Sequence, residues 1–205
     1  MSVSLAEPDT EIGTPDFQGL IRWLLRQANQ ADKDSRARTA LAELRRGLRD
    51  DPRDRLIVGK YIVPFLGAEP RDDWPKWQEE RQQWQEECCS LVASLFASHP
   101  AHAGSVSLGA ALEKINGESG SIEGRFQLLL AARPERLRGP LRQVVSLLAA
   151  RGVALDWRLL LADLCHWNHP EKRVQQRWAR HFYKAPHDPE LDRIDTTNGD
   201  TDHED

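Results

Sequence analysis

Three sets of residues have types that could do chemistry, and the first is Cys165-His166-x-x-His169. Thiolate and imidazole are metal-ligand types. His166 and His169 are only one turn apart beside Pro170, and no second Cys or His pair stands at zinc-finger spacing. Cys165 continues the apolar row of Trp157, Leu160, Leu161 and Leu164, so core and helix-end packing is the better reading. The second set is Cys88-Cys89. Adjacent cysteines cannot bridge without strain, and Glu86 and Glu87 beside them would raise a thiol pKa rather than lower it. A buried structural pair follows. The acid pairs Glu79-Glu80 and Glu86-Glu87 lie in a charged stretch and read as a solvated face. No phosphate-binding glycine loop, dinucleotide fingerprint, nucleophile elbow or H-E-x-x-H zinc motif occurs. The sequence therefore points away from an enzyme. It indicates no catalytic residue, no metal, no cofactor and no small-molecule substrate.

The third set is arginine. From Ser121 to Lys184 twelve basic residues face five acidic ones, a net of +7 in a chain whose formal net charge is −4. The surplus is not cancelled by acids at i, i+4, and it sits between leucine and valine rows at helical spacing. A guanidinium grips phosphate through a planar fork, so a basic surface spread over several helices is suited to a nucleic-acid backbone. Two plainer readings stand beside it: an ordinary solvated helix surface, and the arginine-rich composition of a GC-rich genome. No helix-turn-helix or RNA-recognition signature is present, so sequence-neutral, salt-sensitive phosphate contact is the form to expect. Trp74, Trp77 and Trp84 could stack bases, but their helical spacing and acidic surroundings favour a core or a protein interface.

These groups must be positioned by helices, because nothing alternates with period two over a useful length. The chain has 205 residues, enough for one ordinary domain or two small ones, with 40% apolar and 29% charged residues. Three cysteines give no disulfide framework, which suits a reducing compartment. The acidic start lacks an apolar core, so no signal peptide is expected, and apolar runs fall far short of the ~20 residues of a membrane span. A cytoplasmic protein with no membrane contact is the expectation. Asp16 caps a helix to about Ala31, and a second helix covers 35–49. The apolar run from Asp54 to Leu66 predicts a buried third helix, and a tryptophan-rich fourth runs to Ser98. Residues 99–107 form a loop, with His99 and His102 solvated. Beyond it come a short helix capped by Ser107, then 122–132, the Leu137–Leu148 stripe closed by Gly152, a helix capped by Asp156, and a last one opened by Pro170. The prediction is an all-α fold of two small helical bundles packed together, 16–98 and 107–184, with disordered acidic termini at 1–15 and 185–205. Residues 186–205 carry −7, so the acidic overall sum comes largely from the tails.

Several segments taken together resemble a known family. Val106-Ser-Leu-Gly-Ala-Ala-Leu112, Ser121-Ile-Glu-Gly-Arg-Phe126, Leu141-Arg-Gln-Val-Val-Ser-Leu-Leu148, Asp156-Trp157 and Arg173-Val-Gln-Gln-Arg-Trp-Ala-Arg-His-Phe182 are similar to the small subunit of the type I-E CRISPR Cascade complex, the CasB family. Trp23-Leu-Leu, Arg36-Ala-Arg38, Leu41-Ala-Glu-Leu-Arg-Arg46 and Tyr61-Ile-Val-Pro-Phe65 look similar too. The resemblance covers about Phe17 to Tyr183 and rests on the ordered set of segments, no one of which is diagnostic. It implies an all-helical, non-catalytic protein of two bundles. Two copies would line the belly of a guide-RNA complex for antiviral defence, beside the other Cascade subunits. They would hold single-stranded target and non-target DNA, with guide RNA as a further partner, and stabilise the R-loop.

On that resemblance and on spacing, the nucleic-acid-binding residues expected are Arg38, Arg46, Arg125, Arg142, Lys172, Arg173, Arg177 and Arg180. Arg173, Arg177 and Arg180 form an i, i+4, i+7 stripe opposite Val174 and Trp178. The competing reading is a helical adaptor that touches only protein, with the tryptophans as its anchors.

Overall fold

The computed structural model describes residues 15–49, 51–67, 71–116 and 121–183, and among these all regular structure is helical. The helices are α1 (Phe17–Gln30), α2 (Ser35–Arg46), α3 (Pro52–Ile62), α4 (Lys76–Ser98), α5 (Leu108–Glu113), α6 (Ser121–Leu130), α7 (Arg138–Ala150), α8 (Trp157–Cys165) and α9 (Arg173–Tyr183). Short 3-10 turns at Val63–Phe65 and Pro134–Arg136 follow α3 and precede α7. The all-α expectation holds. Among the described residues no helix is long and apolar enough to cross a membrane. The two acidic termini lie outside the described residues.

Local chemistry starts the helices where the sequence places them. Asp16, Asp34, Asp51, Ser107 and Asp156 each accept a backbone N–H of the first turn, from Gly19, Arg36, Arg53, Ala110 and Arg158 respectively. Each such cap satisfies a donor that the helix cannot, worth about 1 kcal/mol. Gly152, at φ 63°, turns the chain out of α7 in the left-handed region where a Cβ is disfavoured.

The long helix α4 is the spine. It packs on α1, α2 and α3 along one side and on α7 and α8 along the other. That grouping accords with two packed bundles sharing one continuous core from Leu20 to Phe182. Trp157, Trp167 and Trp178 are fully buried, and each removes about 200 Å² from water, roughly 5 kcal/mol before entropy is counted. Their indole N–H groups are all satisfied: Trp157 on Ala101 O at 2.8 Å, Trp167 on Ala132 O at 3.0 Å, and Trp178 on Asp163.

Three local expectations fail for readable reasons. The loop at 99–107 is not loosely solvated at its start: His99 is buried and donates from Nε2 to Val153 O at 2.8 Å. The same segment is stitched to the α7–α8 connection by Ala103 N to Leu155 O and Asp156 N to Val106 O, at 3.1 and 2.8 Å. The third helix is buried on one side only. Val58 and Ile62 are inside, whereas Leu56 and Val63 are 79% and 62% exposed. The 100° step between residues separates these two sets, and an apolar run with no polar stripe conceals it. The last helix begins at Arg173, not at Pro170, because Lys172 adopts φ 53° and interrupts the turn before it.

The tightest approach in the core is between α5 and α9. A Cβ added to Gly109 would lie 2.2 Å from the Trp178 carbonyl oxygen, which is backbone and cannot rotate away. Gly109→Ala should therefore push α5 off α9 and cost about 1–3 kcal/mol. Urea unfolding should show a lower midpoint with an unchanged slope. A midpoint equal to wild type would mean that the two helices separate freely.

Candidate nucleic-acid interface

The arginines collect in separate places, and the first lies between α2 and α7. A helix ends with carbonyls that have no partner within it. At the end of α2 these are met from a distant part of the chain. Arg138 donates to Gly47 O, and Arg142 Nη1 approaches Leu48 O at 3.5 Å. Arg45 reaches the other way, from α2 to Ala97 O at the end of α4. Arg46 and Arg49 are exposed beside them. The candidate residues Arg46 and Arg142, 96 positions apart in sequence, thus come to the same end of α2, where Arg142 reaches Leu48 O. The negative end of the α2 dipole favours the cations around it.

Arg138 was missed in the sequence reading although it sits centrally in this corner. One signal was available. It opens α7, where a positive charge opposes the helix dipole, so it needs an outside acceptor. The carbonyl end of α2 supplies it.

The second group lies on α9 and α6, which pack through Phe126 and Phe182 with ring centroids 4.3 Å apart. Arg125 is half-buried on α6 and Arg180 is exposed in the last turn of α9. Arg173 pairs with exposed Glu171 at 2.6 Å, a contact that water screens heavily. Lys172 is exposed at the bend ahead of α9. Arg177 is differently placed. It is committed to Asp163 of α8, which is only 2% exposed and also accepts from Trp178 Nε1 at 2.5 Å. Burial raises the Asp163 carboxyl above its ordinary range, against the lowering effect of Trp178 and Arg177. Arg177 therefore compensates a buried acid, and the regular stripe with Arg173 and Arg180 does not make it equivalent to them. Arg38 stands apart from both groups. Its guanidinium closes the end of α1 through Ala31 O and Asp32 O, at 3.1 and 3.3 Å.

The other chemical groups have local partners. His166 Nδ1 donates to Ala162 O at 2.8 Å, and His169 Nδ1 accepts from Glu171 N at 3.2 Å. Among the described residues no group of three or more His, Cys, Asp or Glu could hold a metal ion. A hydrogen bond with Cys165, together with burial, pushes the Cys88 thiol up, and burial does the same to Cys89. Neither is a ready thiolate nucleophile.

Removing Arg177 leaves a carboxylate buried without its counter-charge. Arg177→Ala should cost about 1–3 kcal/mol, less than a fully buried pair because its side chain is 44% exposed. The Asp163 carboxyl also gives a signed pH effect. Its folded pKa is raised, so the native state binds this proton first, and the group's contribution to stability improves as pH falls from neutral toward about 4. Wild type should gain relative to Asp163→Asn over that window in unfolding melts, and a constant difference would contradict this.

Three comparisons place the chain among known proteins. The family model of "CRISPR-associated protein Cse2" matches residues 40–183. A CRISPR-associated protein Cse2 of Thermus thermophilus is 39% identical over 148 residues, covering 71% of this chain and 79% of that protein. The crystal structure of a Cse2-family CRISPR-associated protein from the same organism superposes with a TM-score of 0.66 at 32% identity, over 84% of this chain and 100% of that one. A chain of a CRISPR RNA-guided surveillance complex shares the fold, with a TM-score of 0.60 at 21% identity over 87% of this chain and 99% of its own. With the family model spanning most of its helices and a relative of this identity, the chain belongs to the CRISPR-associated Cse2 family.

Proposed function

We propose that this chain is the non-catalytic small subunit of a type I-E CRISPR RNA-guided surveillance complex, where it holds DNA strands by their backbones. The observation that supports this reading is the α2–α7 corner, where Arg138 and Arg142 reach the chain just after α2, next to exposed Arg46. Family membership gives the context of an RNA-guided assembly, and the solved surveillance complex contains a chain of this fold. In such an assembly the small subunit would sit beside other subunits and a second copy of itself, in the cytoplasm. Arg46, Arg142, Arg125, Lys172, Arg173 and Arg180 would contact phosphates of the target and displaced strands, and of guide RNA where it approaches. Arg38 and Arg177 would support those surfaces, with Arg177 giving part of its charge to Asp163.

Exchanging one duplex for a hybrid of similar stability is nearly balanced, so modest backbone contacts suffice to favour the open R-loop. Each phosphate contact releases counterions and steepens the fall of affinity with salt. In the assembled complex, Arg46→Ala and Arg142→Ala should each shallow the log–log salt slope for single-stranded DNA by about 1. The loss should be uniform across sequences, since no base is read. Unchanged slopes in both variants would remove the α2–α7 corner from the interface.

A further inference from the structure

One groove in the surface has large apolar side chains both in its lining and on the helices that form it. Five such side chains are exposed among the described residues, and one of them, Val63, lines a groove of about 750 Å³ between α3, α4 and the corner that leads into α7. Leu56 precedes it by seven residues, two turns earlier on the same side. Its apolar lining includes Ile62, Leu66, Trp84 and Leu91. Gly59 leaves the α3 wall low, since a Cβ there would meet nothing within 4 Å. Trp77, at 60% exposure, stands two turns before Trp84 and so on the same stripe of α4. From Trp77 to Leu91 that stripe is roughly 21 Å long, about four helical turns and longer than a small molecule needs. The rim carries Glu80, Glu86, Glu87 and Glu135 against Arg55 and Arg138. Arg138 is shared with the arginine corner, but acids outnumber bases along the rest of the rim and repel phosphate, so the groove beyond Arg138 is unsuited to the corner's ligand.

We propose that the groove receives an amphipathic α-helix of another polypeptide, whose apolar face is flanked by lysine or arginine. The inference rests on the assembly reading above only for where that polypeptide is sought. Charge complementarity selects the flanks. The mode follows from the walls. No strand occurs among the described residues, so an extended peptide finds no sheet edge to join, whereas a groove between helices takes apolar anchors at i, i+3 or i+4, and i+7. A second copy of this chain is a poor occupant. Its other exposed large apolar groups, Leu128 and Tyr183, come from different helices and form no such stripe. The acidic segment 186–205 carries the wrong sign.

The test uses the full chain within the assembled complex, purified through a tag on a different subunit. A benzophenone amino acid replaces Val63, and a control replaces Ser146, which is exposed on α7. Irradiation at the Val63 position should join the chain to another protein subunit, at a helical segment with basic residues flanking apolar ones. The Ser146 control should not label that segment. An adduct with a second copy of this chain, an adduct with nucleic acid, or no adduct while the chain stays in the complex would each overturn the proposal. In parallel, Leu56→Glu with Val63→Glu should lower recovery in the complex by roughly tenfold or more, as expected for lost interface anchors. The free variant should melt as wild type does, since both positions are exposed. Recovery equal to wild type would overturn the groove. Single-strand binding, read on wild type and variant together, keeps the two readings apart: a failed nucleic-acid interface shows in wild-type binding, a failed groove only in recovery.

Discussion

The carbonyl end of α2 is the constraint on which the candidate surface depends. A helix terminus buried in a protein needs donors, and here the donors come from the start of α7. One electrostatic requirement therefore does two things. It fastens the N-terminal helices to the C-terminal ones, and it gathers guanidinium groups at the joint. The corner is basic because the fold needs cations there, and cations held at fixed positions are also what a phosphate backbone meets with the least rearrangement.

The helix α4 makes this arrangement possible. Its last two turns are apolar nearly all round, from Leu91 to Ala97, because other helices cover them on both sides. Its first turns are charged and carry Trp77 outward. The molecule thus presents two adjoining surfaces of different character that meet at Arg138. One is a basic joint at the end of α2, and the other is an acidic groove with an apolar floor beside α3. On the proposed reading the basic joint would take nucleic acid and the groove a protein, with charge sorting the two ligands.

Much of the fold was legible because helix signals are local. Asp16, Ser107 and Asp156 cap as their residue types and positions require, and the Leu137–Leu148 stripe and Gly152 bound α7 as read. What escaped was set by tertiary partners. His99 looks like a loop histidine until Val153 is brought beside it, and Leu56 looks like core until the other face of α3 takes that role. The site was legible as a composition but not as a geometry. An arginine stripe on α9 gives no hint that Arg177 faces a buried acid, because Asp163 is fourteen residues away on another helix. Arg138 had a signal in its opposition to the α7 dipole. Arg38 had none, since the carbonyls it closes belong to the preceding helix end.

The central claim is that phosphate contacts at the α2–α7 joint keep an R-loop open. The most direct measurement is permanganate reactivity of thymines in the displaced strand, followed over time on complexes assembled with wild-type chain or with Arg46→Ala/Arg142→Ala. The account predicts that reactivity decays faster in the variant complex as the displaced strand re-pairs, while the fully assembled subunit content stays the same. Equal decay in the two complexes would contradict it.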